Sequence, residues 1–368
     1  MTASSPYQHL PERSFWRPAV AARHWHDIRE IWSLAPLRAD DKLATAGSCF
    51  AQHIGRHLRR RGACYLDLEP PPAFLPDEVA RRHGFLIYSC RYGNIYTARQ
   101  LHQLALEALG RRTPDDRVWS KDHRFYDALR PSVDPVGHDR PDDVLRMRDH
   151  HLSCVRRLLE QVDVFVFTLG LTEAWESSGD CTVYPTAPGT IAGSFDASRY
   201  RFRNFRYPEV MADLQGFWGL LRECNPSARM ILTVSPVPLT ATASDDHVVV
   251  ATTQSKATLR AVAGDMAALE EDVAYFPSFE LISAHPARAM FFNPDLRTVN
   301  SVGVDYVMSH FFGDLPEARL ERSSLAPAPR VAASGPQRPE DDVLICDEEL
   351  LEEYASSEED EASAAASR

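Results

Sequence analysis

The sequence lacks several features, and each absence narrows what the chain does. Its seven cysteines (Cys49, Cys64, Cys90, Cys154, Cys181, Cys224, Cys346) are odd in number and form no C-x-x-C pair. That argues against a disulfide scaffold and a cysteine zinc site. Histidines are present without paired ligand spacing, so neither metal nor other cofactor is expected. No apolar run reaches the ~18 residues of a membrane span. Met1 to Leu10 carries no basic segment followed by an apolar stretch, so no secretory leader is expected and the expected location is cytoplasmic. Positive charge is also short: 40 Lys and Arg stand against 52 Asp and Glu, a net charge of −12. Twelve of those acids fall between Glu340 and Glu361, where there is no Lys or Arg. The rest of the chain is balanced at 40 against 40, so a nucleic-acid footprint is absent.

What is present suits an α/β protein. Hydrophobic residues make up 44% of the 368, enough for a sizeable core. Residues 42–46 read as a short strand, and Val162 to Leu169 as the strongest one. Met230 to Val234 and Val273 to Phe276 read as two more. Near-continuous apolar runs of this kind fit parallel strands covered on both faces. Helical patterns intervene: Phe50, Ile54 and Leu58 up to Gly62, then Leu101 to Ala108, Leu152 to Leu159, Val210 to Cys224, 248–271 and Val302 to Phe312. The expected fold is a three-layer open parallel sheet flanked by helices, with ligands bound beyond the carboxyl ends of the strands. The expected divisions are an N-terminal arm packed on the core (1–40), the main domain (41–313) and a disordered acidic tail (314–368) with at most one short helix. Ile28, Ile31 and Trp32 are spaced as a helical stripe within the arm. Residues 111–150 read as a polar surface excursion, and 179–206 as loops or a hairpin.

The motif with most chemistry is Gly47-Ser48-Cys49-Phe50-Ala51, between a strand and a helix. Glycine permits the tight turn, and the helix N-terminus behind it favours negative charge. A thiol there is activated; equally, a lone cysteine is often a small buried hydrophobe. Glu173 and Trp175 follow the strongest strand, where a carboxylate faces either a cleft or a helix start. Ser255-Lys256 resembles a Ser–Lys dyad, but reads more simply as an ordinary helix pair with Lys256 exposed. Arg199, Arg201, Arg203 and Arg206, interleaved with Tyr200, Phe202, Phe205 and Tyr207, form a patch suited to an anionic or sugar ligand.

The five-residue string resembles the signature of the GSCFA family. So do Leu10 to Trp16, Gly93-Asn94-Ile95-Tyr96-Thr97, Thr168 to Gly170 with Glu173 and Trp175, Ser235 to Pro238, Ser255-Lys256 and Tyr275 to Glu280. The resemblance covers roughly residues 6 to 313. It implies kinship with SGNH hydrolases and acyltransferases, and a fold more firmly than a reaction. On that resemblance Cys49 stands at the nucleophile position and Ser48 at the preceding Asp. Gly93, with Asn94 beside it, stands at the oxyanion glycine, and Thr172 replaces the oxyanion asparagine. Asp295 keeps the last block's Asp, but its His is replaced by Thr298; His285 is the nearest substitute, and His53 a weaker one.

The function these implications favour is an esterase or O-acyltransferase working through an acyl-enzyme on a small-molecule or glycan ester. In it Cys49 or Ser48 attacks, His285 takes the proton, and Asp295 or Glu173 orients the ring. Cys49, Gly93 and Thr172 N–H groups hold the oxyanion. The alternative is a catalytically degenerate scaffold binding a carbohydrate or acyl carrier. Oligomeric state is left open.

Overall fold

In the computed structural model, which describes residues 5–32, 37, 38, 40–312 and 347–352, four parallel strands form the central sheet. They are β1 (Leu43–Gly47), β4 (Val164–Leu169), β8 (Arg229–Val234) and β9 (Val273–Phe276), in the order β1-β4-β8-β9. Register pairs Gly47 with Thr168, Thr168 with Thr233, and Thr233 with Phe276, which sets the carboxyl ends side by side. Side chains of a strand alternate between faces. Phe165, Phe167 and Leu169 therefore enter one core with α3 (Ala98–Ala108), α4 (Pro141–Gln161), α5 (Tyr207–Cys224) and α6 (Val248–Leu269). Val164 and Val166 enter the other with α1 (Cys49–Arg60), α7 (Ser278–Ser283) and α8 (Ser301–Phe312). This is the expected α/β layering, with helices on both faces of a parallel sheet.

Three segments differ from expectation. Residues 28–32 are not helical: a 3-10 turn, Trp25–Asp27, precedes them, and Glu30 takes a left-handed φ of 57°. Trp25 and Ile28 are buried in the second core, and Trp25 Nε1 donates to Leu281 O at 2.9 Å. Tertiary burial thus sets this backbone, not helical spacing. Residues 173–204 form a second, antiparallel sheet: β6 (Val183–Tyr184), β5 (Glu173–Ser177) and β7 (Tyr200–Asn204), in the order β6-β5-β7.

The excursion at 111–150 is neither irregular nor wholly at the surface. It holds a hairpin, β2 (Val118–Lys121) with β3 (Arg124–Asp127), and the start of α4. Three of its charges, Asp127, Arg130 and Arg148, are interior. Arg148 Nε donates to Glu107 Oε1 at 2.6 Å, and Arg148 Nη1 to Asp127 Oδ1 at 3.1 Å. Arg130 Nε donates to Asp127 Oδ2 at 2.7 Å, and His151 Nδ1 lies 2.7 Å from Glu69 Oε2. All six side chains are buried. Polar composition predicts a solvated loop, but ions that satisfy one another are buried together.

Burial alone would raise the carboxyl pKa of Asp127 and Glu69. Arg148 and Arg130 pull Asp127 down to about 2, and His151 with Arg130 pulls Glu69 to about 2. A depressed carboxyl stabilises the fold above its unfolded pKa, and that contribution is lost as pH falls toward the folded value. Stability is therefore expected to decline between pH ~4.5 and ~2. Arg148→Met leaves the buried Glu107 carboxylate unpaired and Asp127 with Arg130 alone, and is expected to cost about 3–5 kcal/mol in a denaturant titration. A cost under ~1 kcal/mol would show that the network contributes little.

Candidate functional site

The site is built where the chain leaves β1. Gly47 adopts φ +142°, and a Cβ there would stand 2.5 Å from Thr168 O and 2.8 Å from Thr168 Cβ. Only glycine lets β1 turn this close to β4. Gly47→Ala is expected to lower stability by about 3 kcal/mol, measurable as a fall in thermal midpoint. An unchanged midpoint would deny the constraint.

Ser48 follows as the residue before α1, with φ −71° and ψ 178°. Serine in that position ordinarily caps the helix with its hydroxyl. Here it makes no cap hydrogen bond, and its buried Oγ has no partner among the described residues. The hydroxyl is committed to nothing structural. Its Cβ lies 3.0 Å from the Cβ position of Gly170, at the end of β4. Cys49, the first residue of α1, is also buried, but within the apolar cluster of Trp25, Phe50 and Phe276.

The Gly93-to-Thr97 segment crosses over these strand ends. Ile95 N donates to Gly47 O at 2.9 Å, and Gly170 N and Leu171 N both donate to Tyr96 O. Gly93, at φ +69°, turns the chain into this crossing. Asn94 is buried, and its amide has a defined orientation. Oδ1 accepts from Tyr88 Oη at 2.6 Å and from Gln52 Nε2 at 3.3 Å. Tyr88 Oη also lies 3.1 Å from Ser48 O. The amide nitrogen is thereby turned outward as a donor, and Nδ2 donates to Asp347 Oδ2 at 3.0 Å.

That last contact involves the tail, where one short helix was the most that was expected. Asp347–Leu351, expected within the disordered tail, forms a 3-10 turn with Asp347 buried at 4% exposure. Apart from Glu352, the other tail residues lie outside the described residues. Burial raises the Asp347 pKa, against hydrogen bonds from Asn94, Ser132 and Tyr96 that lower it.

Glu173 and Trp175 begin a strand rather than a helix, and alternate positions put them on one face. They line a cavity of about 200 Å³ with Leu171, Tyr184, Phe202 and Thr242, and Asp347 and Leu351 also reach its wall. Glu173 Oε1 accepts from the Thr242 hydroxyl at 2.9 Å. Burial raises the Glu173 pKa against the hydrogen bonds from Thr242 and Ala243 N–H.

Other candidates are placed elsewhere. Thr172 is buried with both donors engaged: N–H to Ser255 Oγ at 3.0 Å and hydroxyl to Asn204 Oδ1 at 2.8 Å. Neither is left for an oxyanion, because α6 captures the N–H and the antiparallel sheet the hydroxyl. His285 stacks on Trp16 with centroids 5.4 Å apart, in a groove whose lining includes none of Ser48, Cys49 and Asn94. Asp295 accepts from Arg297 N, Thr298 N and the Thr298 hydroxyl, closing its own turn. Those bonds outweigh burial and lower its pKa. It does not reach His285 as an orienting partner, since its oxygens are occupied locally. His53 packs edge-on to Phe50, and burial, then Arg56, lowers its pKa to about 3.

The arginine patch also reads differently in three dimensions. Arg199 pairs with Asp116, Arg201 with Glu176 and Arg203 with Glu209. These cations are matched internally rather than presented to an anion. Lys256, expected to be exposed, is 2% exposed and donates from Nζ to Gly170 O at 2.8 Å. Its spacing to Leu259, Ala263 and Met266 is three, seven and ten residues, a helical signal that places it on the buried side. Tyr88, Gln52, Ser132 and Asp347 had no sequence signal, since their roles come from contacts distant along the chain.

Among the described residues no helix is long and apolar enough to cross a membrane. No curated protein matches the chain. Among solved structures it is similar to an acetyl esterase mutant holding an acetate ion: 14% identity, 59% of this chain and 87% of that one covered, TM-score 0.24. It is also similar to a carbohydrate esterase family 3 protein from Talaromyces cellulolyticus: 14% identity, 62% and 93% covered, TM-score 0.24. The GSCFA family model matches residues 42–311, which take in the whole central sheet and the strand-end cluster. The chain belongs to the GSCFA family.

Proposed function

We propose that the chain is an ester-acting enzyme, an esterase or O-acyltransferase, with Ser48 as nucleophile and Asn94 as oxyanion donor. The observation that carries this is the oriented Asn94 amide, which presents Nδ2 to a carboxylate oxygen and is tied through Tyr88 Oη to the backbone of Ser48, whose buried hydroxyl caps nothing. A tetrahedral acyl oxyanion asks for the same kind of donor. Ser48 Oγ bonds to the acyl carbon and its proton passes to the Lys256 amine. The ester C–O bond then breaks, and the leaving alcohol takes that proton. Water, or an acceptor hydroxyl, repeats the steps to release the acyl group. Lys256 is the assigned base because Gly170 touches both sides: its O accepts from Lys256 and its Cα faces Ser48. Serine–lysine pairs serve this role on other folds.

The substrate class is an O-acylated glycan or its precursor. In support, Trp175, Tyr184 and Phe202 give the cavity apolar faces, while Glu173 and Thr242 give it polar groups. The test is intact-mass spectrometry after fluorophosphonate treatment. Labelling at Ser48, lost in Lys256→Met and kept in His285→Ala, is the expected result. Labelling at Cys49, or loss in His285→Ala alone, would replace this assignment.

Two observations favour a second reading, a cleft that binds a carbohydrate or acyl carrier without turnover. The expected histidine lies in another groove and the Thr172 donors are engaged. No labelling of folded protein at either residue would support it.

A further inference from the structure

The cavity lined by Glu173 and Trp175 takes two of its wall residues, Asp347 and Leu351, from the chain's own tail. Asp347 and Leu351 are separated from the end of α8 at Phe312 by the 34 residues 313–346. That length spans up to ~110 Å when extended, so docking in cis needs no stretching of the chain. Asp347 lies in the acidic stretch 340–361, whose carboxylates are best solvated by water. Yet its side chain is buried among Asn94, Ser132 and Tyr96, and Leu351 borders the cavity with Trp175 and Phe202. A buried carboxyl is sustained only by directed donors, and the Asn94 amide at 3.0 Å is one.

We propose that Asp347–Leu351 is a built-in product mimic: its carboxyl fills an acyl-binding subsite formed by Asn94, Tyr96 and Ser132, and its leucine closes the neighbouring cavity. The chemical class this subsite takes is a carboxylic acid or the acyl group of an ester. The Asp347 carboxyl and a substrate acyl group would fill the same subsite against Asn94 Nδ2, so the docked tail and a reacting ester exclude each other. A tethered ligand acts at an effective concentration near millimolar, so weak intrinsic affinity suffices for occupancy. Release of the segment, by a partner or by a high concentration of acyl substrate, opens the site. The effect on turnover rests on the acyl-transfer reading above; the docking itself does not.

The test uses the full-length protein and three variants: Asp347→Ala, Asp347→Asn and Leu351→Ala. Hydrogen–deuterium exchange is followed at 347–352, 94–97 and 172–175, alongside hydrolysis of an aryl acetate. Asp347→Ala and Leu351→Ala are expected to speed exchange in all three segments about tenfold, and to raise turnover by a similar factor. Asp347→Asn keeps an oxygen that accepts from Asn94, so exchange stays near that of the unaltered chain. Identical exchange in the unaltered chain and Asp347→Ala overturns the plug, whatever the turnover. Faster exchange with no ester hydrolysis in any variant keeps the plug and removes the esterase reading instead.

Discussion

Ser48→Ala is expected to lower kcat/KM for a short-chain ester by about 10⁴-fold or more, with fluorophosphonate labelling abolished. The same substitution is expected to leave thermal stability unchanged or slightly raised. The two expectations have one cause. A structural serine before a helix caps it, and its replacement by alanine costs about 1 kcal/mol. Ser48 makes no cap bond, and its buried oxygen has no partner among the described residues. Removing a buried polar atom without a partner relieves a desolvation cost instead of breaking a bond. Activity lost with stability kept is therefore the signature of a reacting group. A fall in stability comparable with a lost cap, with activity intact, would assign the residue to structure. Cys49→Ala serves as the partner experiment. Cys49 packs among apolar side chains, so the expected result is a modest stability loss with labelling retained.

Asn94→Ala is expected to reduce kcat by about 10²–10³, or ~2.7–4 kcal/mol of transition-state stabilisation, with KM little changed. An oxyanion donor gains most of its interaction energy when charge develops, so the loss falls on kcat. Tyr88→Phe tests the orientation independently. The Tyr88 hydroxyl holds Asn94 Oδ1 at 2.6 Å, so removing it frees the amide to rotate without deleting the donor. A smaller loss of about tenfold in kcat is expected there. Both are best measured with Asp347→Ala as the common background, since the tail carboxyl competes for the same Nδ2. An Asn94→Ala effect confined to KM would mean that Asn94 binds ground state and transition state alike, and would remove its oxyanion role.

The acid-sensitive network under the site bears on these measurements. Arg91 N donates to Glu69 Oε2 at 2.8 Å, and Arg130 Nη1 donates to Arg91 O at 2.8 Å. These bonds anchor the chain three residues before Asn94. Below pH ~4.5 a loss of activity therefore mixes unfolding with chemistry, and the Ser48 and Asn94 comparisons belong above that range.

The sheet was legible because its signal is local and redundant. Apolar runs at 162–169 and 230–234 are buried on both faces, with 273–276 half-buried at the sheet edge, and a parallel sheet between helix layers is what satisfies them. The turn at Gly47 was legible for the same reason: one residue type tolerates that backbone. Of the site, the sequence singled out Ser48, Cys49, Gly93, Asn94, Glu173 and Trp175 by motif and by position at strand ends.

Their partnerships were another matter. Which residue orients Asn94 is decided by Tyr88 and Gln52 meeting it in space, and no spacing along the chain encodes that. Polar composition at 111–150 implied solvent, whereas six mutually satisfied charged and imidazole groups made burial tolerable. His285 stood near Asp295 in the chain, yet stacking on Trp16 and the closed turn at Thr298 send the two apart. Asp347 looked like one acid among many until the fold placed an oriented amide opposite it. The amino-acid sequence by itself determined the layering and pointed to the strand ends for a candidate site, because hydrophobic pattern and backbone sterics are properties of neighbours in the chain. Only the tertiary structure decided which donors face the cleft and which are already engaged, because hydrogen bonds and ion pairs are settled between residues that meet only after folding.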